Sequence, residues 1–175
     1  MTLRKQIVIC GDSYSYKDGV YGASVYRKWP PTFTWVDLLM ERHDVTYYSF
    51  NGHSNAQIEQ QIPKDHNWDH LICSLGPVFR VEGNIDVDDS RVYANNMAIG
   101  LHISKLPRCY LWSSFPEYRD LNWINYIPLR PHNEYFLRRD FPELYAQSHF
   151  KFTGCHLTEK GNRLLHSKIC HDLNL

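Results

Sequence analysis

The sequence predicts an α/β fold built on a parallel sheet, and three observations lead there. Short apolar runs rich in β-formers alternate with longer segments of helical periodicity. Three of the four clearest runs stop at turns containing a glycine, Gly11, Gly52 and Gly76. The chain has 175 residues, 43% of them hydrophobic, which suits one domain, residues 1–175, with a continuous core.

Taken in order, Ile7-Val8-Ile9-Cys10 reads as a buried first strand that ends in the turn Gly11-Asp12-Ser13. Trp35, Leu38, Leu39 and His43 then recur at helical spacing over residues 33–43, with Thr32 or Thr34 as the cap. Val45 to Phe50 forms a second strand, closed by Asn51-Gly52, and Ser54 caps a short helix through Ile58 and Ile62. His70 to Leu75 forms a third strand, stopped by Gly76-Pro77, before a long helix from about Ser90 to Leu106. Cys109-Tyr110-Leu111-Trp112 makes the fourth strand. Residues 113–133 hold prolines and aromatics without a period and read as a long loop. A helix over about 133–147, a short edge strand at 149–152 and a final helix capped by Thr158 complete the chain. Strands alternating with helices imply a sheet covered on both faces.

Composition removes several classes of function. Lysine plus arginine number 19 and aspartate plus glutamate number 19, so no net field draws the chain to nucleic acid or an anionic membrane. No apolar run approaches the roughly 20 residues of a bilayer span, and the N-terminus lacks a signal-type apolar region. Five cysteines, an odd number, with Cys10, Cys73 and Cys109 in strand-like segments, favour free thiols and a reducing, cytoplasmic setting. Ten histidines invite a metal, but there is no HExxH or CxxC, and the nearest ligand-like pair is His166 with Cys170. Neither a metal nor a cofactor is expected. A nucleotide or phosphate binder would show a GxGxxG or Walker sequence, and there is none.

In open α/β sheets ligands sit at the carboxyl ends of the strands, so the chemistry is sought in the turns. Gly11-Asp12-Ser13-Tyr14 after the first strand resembles the GDSL block of the SGNH hydrolase family, with tyrosine in place of leucine. Near the other end, Thr153-Gly154-Cys155-His156-Leu157-Thr158-Glu159-Lys160-Gly161 resembles the family's last block, and Asn51-Gly52-His53-Ser54-Asn55 resembles its second. The resemblance spans nearly the whole chain. It implies a flavodoxin-like three-layer sandwich with a parallel sheet of about four to five strands. It also implies Ser13 as nucleophile, His156 as general base, and the N–H groups of Ser13 and Gly52 as the oxyanion hole. Each residue type suits that work: imidazole titrates near 6.5, and glycine admits a substrate oxygen to the backbone. Each also has a plainer explanation. A serine in such a turn caps helices, a glycine there turns the chain, and Asn55 belongs to the first turn of the second helix.

Two positions depart from the family's pattern. Val78 stands where its third block has an oxyanion asparagine, and Thr153 where its last block has the triad aspartate. Removing one oxyanion donor costs about 100-fold to 1,000-fold in rate. Arg80 is the nearest strong donor that could replace the asparagine, unless it pairs with Glu82 at the surface; Asp12 and Asn55 are further accessory candidates. The expectation is therefore a serine esterase or deacylase working through a Ser13–His156 dyad on a small-molecule or carbohydrate ester. The sugar is suggested by the twelve tyrosines and five tryptophans. The alternative is a weak or inactive member of the fold with a binding or structural role.

Overall fold

In a computed structural model, residues 3–15, 33–49, 52–78, 80–81, 84–85, 89–128, 157 and 159–175 are described. The strands are β1 (Gln6–Gly11), β2 (Asp44–Ser49), β3 (His70–Ser74), β4 (Arg80–Val81), β5 (Asn84–Ile85), β6 (Cys109–Ser113) and β7 (Asn125–Tyr126). The helices are α1 (Trp35–Met40), α2 (Asn55–Gln61), α3 (Ser90–Ser104) and α4 (Glu159–Leu173). Five strands form one sheet in the order β2-β1-β3-β6-β7, every pairing parallel. β4 and β5 pair antiparallel in a small separate ribbon.

Alternation along the strands explains the layers. Ile7, Ile9, Ile72, Tyr110 and Trp112 face one side and bury there with Trp35, Val36 and Leu39 of α1 and Leu165 and Ile169 of α4. Val8, Cys10, Leu71, Cys73 and Leu111 face the other, against Ile58 of α2 and Ile103 of α3. Neighbouring strand residues thus serve opposite cores, which is why β1 reads as an unbroken apolar run. Each of the two face clusters therefore has its own pair of helices, as a three-layer α/β sandwich requires.

Local signals start the helices where they begin. Thr34 and Asp37 form a reciprocal capping box at α1, Asp37 N–H donating to Thr34 Oγ1 at 3.3 Å and Thr34 N–H to Asp37 Oδ2 at 2.8 Å. Ser54 and Gln57 repeat the arrangement at α2. Helix α1 ends at Met40, so His43 lies beyond it and donates its own N–H to Leu39 O.

One expectation needs correction. Residues 113–133 are not simply a loop: a 3-10 turn runs over Pro116–Tyr118, and β7 adds a fifth strand to the sheet. β7 has two residues, too few to show a period, and it is held by register with Trp112 and Ser113 and by Asn125 Nδ2 donating to Leu111 O at 3.1 Å. The β4–β5 ribbon was likewise unforeseen for the same reason of length. The expected helix at 133–147, the strand at 149–152 and the Thr158 cap lie outside the described residues.

Cys10 and Cys73 are fully buried free thiols. Burial pushes the Cys73 thiol up, helped by Cys10 and Cys109 beside it, so it behaves as a small apolar side chain.

Candidate active site

β1 is flanked by β2 and β3, so the turns after these three strands meet along one edge of the sheet. Ser13 follows β1 by two residues and Gly52 follows β2 by three; the two strand ends are in register, Gly11 opposite Ser49. This juxtaposition places the Gly-Asp-Ser turn at the carboxyl edge, where open α/β sheets bind ligands.

The turn itself is built by close approach. A Cβ on Gly11 would collide with the hydroxyls of Ser74 and Ser15, so only glycine lets β1 pass so near the end of β3. The chain then folds through a turn closed by Ser15 N–H donating to Asp12 O at 3.0 Å, which leaves Ser13 and Tyr14 at its apex. Asp12 Oδ1 accepts from Tyr14 N–H at 3.1 Å, an Asx-type contact that holds the same turn from inside. Trp35 Nε1 donates to Tyr14 O at 2.7 Å, and the Tyr14 ring meets Trp112 and Phe115 edge-on. Ser13 is half-buried. Among the described residues, none takes up its hydroxyl or the N–H groups of Ser13 and Gly52.

Asp12 is the buried charge of the site. Its Oδ1 receives the Ser74 hydroxyl at 3.4 Å, while Ser74 and Ser15 hydroxyls lie 2.7 Å apart. Its Oδ2 faces Arg80 Nη1 at 3.8 Å, too far for a hydrogen bond, and neither atom has a hydrogen-bond partner among the described residues. Burial pushes the Asp12 carboxyl above its usual range; Arg80 and the Tyr14 and Ser74 hydrogen bonds pull it back without cancelling the effect. Arg80 therefore points inward, with its side chain 20% exposed, and its partner is the acid of the Gly-Asp-Ser turn. Glu82 lies outside the described residues.

A second network fixes the turn after β3. Asn55, the first residue of α2, accepts Gly76 N–H on Oδ1 at 3.2 Å and donates from Nδ2 to Tyr118 Oη at 2.9 Å. Tyr118 in turn donates to Gly76 O at 3.2 Å. Both polar groups of the Gly76 peptide are thereby clamped, and burial pushes the Tyr118 hydroxyl well above its usual range. Asn55 is thus in the first turn of the helix, as expected, and also reaches across to β3. Val78 is fully buried among apolar side chains, and Asn96 Nδ2 donates to its carbonyl and to Arg80 O. The position of the expected asparagine is filled by core.

Sequence reasoning missed Ser74, Tyr118 and Asn96. Ser74 ends a strand next to a glycine turn, a readable signal; Tyr118 and Asn96 act across the fold and leave none. His156 and Thr153 lie outside the described residues. Leu157 is buried in the cluster that holds Trp35 and Trp112, against which Tyr14 packs. Among the described residues, no group of three or more His, Cys, Asp or Glu is arranged to hold a metal ion, and no helix is long and apolar enough to cross a membrane.

No protein-family model matches the sequence, and no curated protein matches it. The likeness is structural: the crystal structure of a lipase/acylhydrolase from Enterococcus faecalis superposes with a TM-score of 0.54 at 15% identity, covering 98% of this chain and 95% of that one. At that identity the match establishes a shared α/β fold.

Proposed function

We propose that this chain is an SGNH-type serine acyl hydrolase. Ser13 Oγ attacks the ester carbonyl as its proton passes to His156; the C–O bond to the alcohol breaks, and His156 returns the proton to the leaving oxygen. Water, deprotonated by His156, then releases the acid from Ser13. The N–H groups of Ser13 and Gly52 hold the oxyanion, and Arg80 is the accessory donor in place of the missing asparagine. The observation that carries this reading is the pairing of neighbours: Tyr14, next to Ser13, packs against the cluster that contains Leu157, next to His156. The fold shared with a lipase/acylhydrolase supports it.

One observation favours a second reading, a binding protein that has lost catalysis. At the position of the family's oxyanion asparagine Val78 is core, and Gly76 N–H is taken by Asn55. A fluorophosphonate probe followed by mass mapping separates the two. The hydrolase reading expects label on Ser13, none in Ser13→Ala, and strongly slowed labelling in His156→Ala. It further expects Arg80→Ala to lower kcat by about 100-fold beyond any change in folded fraction. A folded protein whose Ser13 stays unlabelled is the binding protein.

A further inference from the structure

We propose that the groove between α2 and α3 receives the alcohol half of the substrate, and that this half is an uncharged polyol about the size of one sugar ring. The proposal rests on the hydrolase reading above and adds to it the substrate class and the place that selects it.

Position comes first. In a parallel α/β sheet the helix after each strand begins at the strand's carboxyl end, so the N-terminal halves of α2 and α3 stand at the edge that carries Ser13. A cavity of about 280 Å³ opens between them, where Ala56 and Val92 are joined by the polar side chains of Ser54, Gln57, Gln60, Arg80, Asn95 and Asn96. That volume lies near the lower end, ~300 Å³, of small-molecule sites. Arg80 belongs to both places: it lines the groove, and its Nη1 faces Asp12 of the Gly-Asp-Ser turn.

Hydrogen-bonding capacity then identifies the occupant. Gln57 Oε1 is committed to Ser54 N–H, which leaves Nε2 as a donor. Asn96 Nδ2 is committed to the carbonyls of Val78 and Arg80, which leaves Oδ1 as an acceptor. Gln60 and Asn95 have no partner among the described residues and offer both. Arg80 Nη1 is buried without a hydrogen bond. Interleaved neutral donors and acceptors match hydroxyl groups, each of which gives one hydrogen bond and receives others. A phosphorylated alcohol would find one cation, Arg80, whose charge already faces Asp12.

The test compares p-nitrophenyl acetate, whose leaving group is a flat aromatic, with an O-acetylated disaccharide, using the full chain and the double variant Gln60→Leu/Asn95→Leu. Both residues are exposed on helices, so the fold is expected to survive. The expected result is a kcat/KM preference for the disaccharide ester over p-nitrophenyl acetate that falls about 10-fold in the variant. Hydrolysis of both esters with neither affected by the variant would overturn the groove assignment while leaving the hydrolase reading intact. If neither ester is hydrolysed, the hydrolase reading fails, and binding decides the groove: amide shifts at 56–60 and 92–96 on titration with the free disaccharide, absent in the variant, uphold it. Absence of those shifts, or a preference for a phosphorylated sugar, overturns it.

Discussion

Gly52 and Asp12 show how much of the site is decided by single residues, each through a different constraint. Gly52 has φ +80°, in the left-handed region, yet a Cβ there would meet nothing within 4 Å. Its requirement is conformational, with no steric component. Gly52→Ala is therefore expected to lower stability by roughly 1–2 kcal/mol in urea unfolding, and Gly52→Asn by less, because asparagine tolerates that region. A loss equal for both variants would show that the chain flips at this turn. Asp12 is constrained by charge: its carboxyl is buried, raised by desolvation, and faces a guanidinium it does not hydrogen-bond. Legibility differed accordingly. A glycine after a strand announces a turn, so Gly11 and Gly52 stood out in the sequence. The pairing of Asp12 with Arg80 is tertiary, and a nearby acid, Glu82, offered a local partner that was equally reasonable on spacing alone.

Elements are joined at this edge by polar clamps, and Tyr118 belongs to the one most open to measurement. Its hydroxyl links α2, the turn after β3 and the 3-10 turn by accepting from Asn55 and donating to Gly76 O. Tyr118→Phe keeps the ring in the core but leaves Asn55 Nδ2 buried without an acceptor, which costs about 1–3 kcal/mol. Asn55→Ala should cost a similar amount. Because both serve one network, the double variant is expected to fall short of the sum by about 0.5 kcal/mol or more in denaturant unfolding. Full additivity would mean that the three elements are held independently. Period and caps made β1, β2, β3, β6 and most helix starts readable: Thr34 and Ser54 are capping residues with their N3 partners in place. The 3-10 turn and β7 were not readable, since two or three residues carry no period and their placement depends on partners in β6.

At the scale of the molecule, one sheet supplies both cores, and this makes a claim about cooperativity. Ile7 and Ile9 point to the α1/α4 side, Val8 and Cys10 to the α2/α3 side, so neither layer can leave without exposing strand residues that alternate with those of the other. Asn162 adds a long-range tie, accepting Trp35 N–H at 2.9 Å and so joining the C-terminal helix to the start of α1. Leu165→Ala removes a fully buried side chain on one face and Ile103→Ala one on the other. Each should cost about 2–5 kcal/mol, the spread reflecting how far each cavity collapses. If the sheet couples the faces, both variants shift the same single urea transition at unchanged slope, and tryptophan fluorescence and far-UV circular dichroism report it together. The two costs should also add, because the sites share no partner across the sheet. A variant that separates the transition into two steps would show that one helical layer unfolds on its own, and the turns carrying Ser13, Gly52 and Arg80 would then lose their common support before the sheet itself melts.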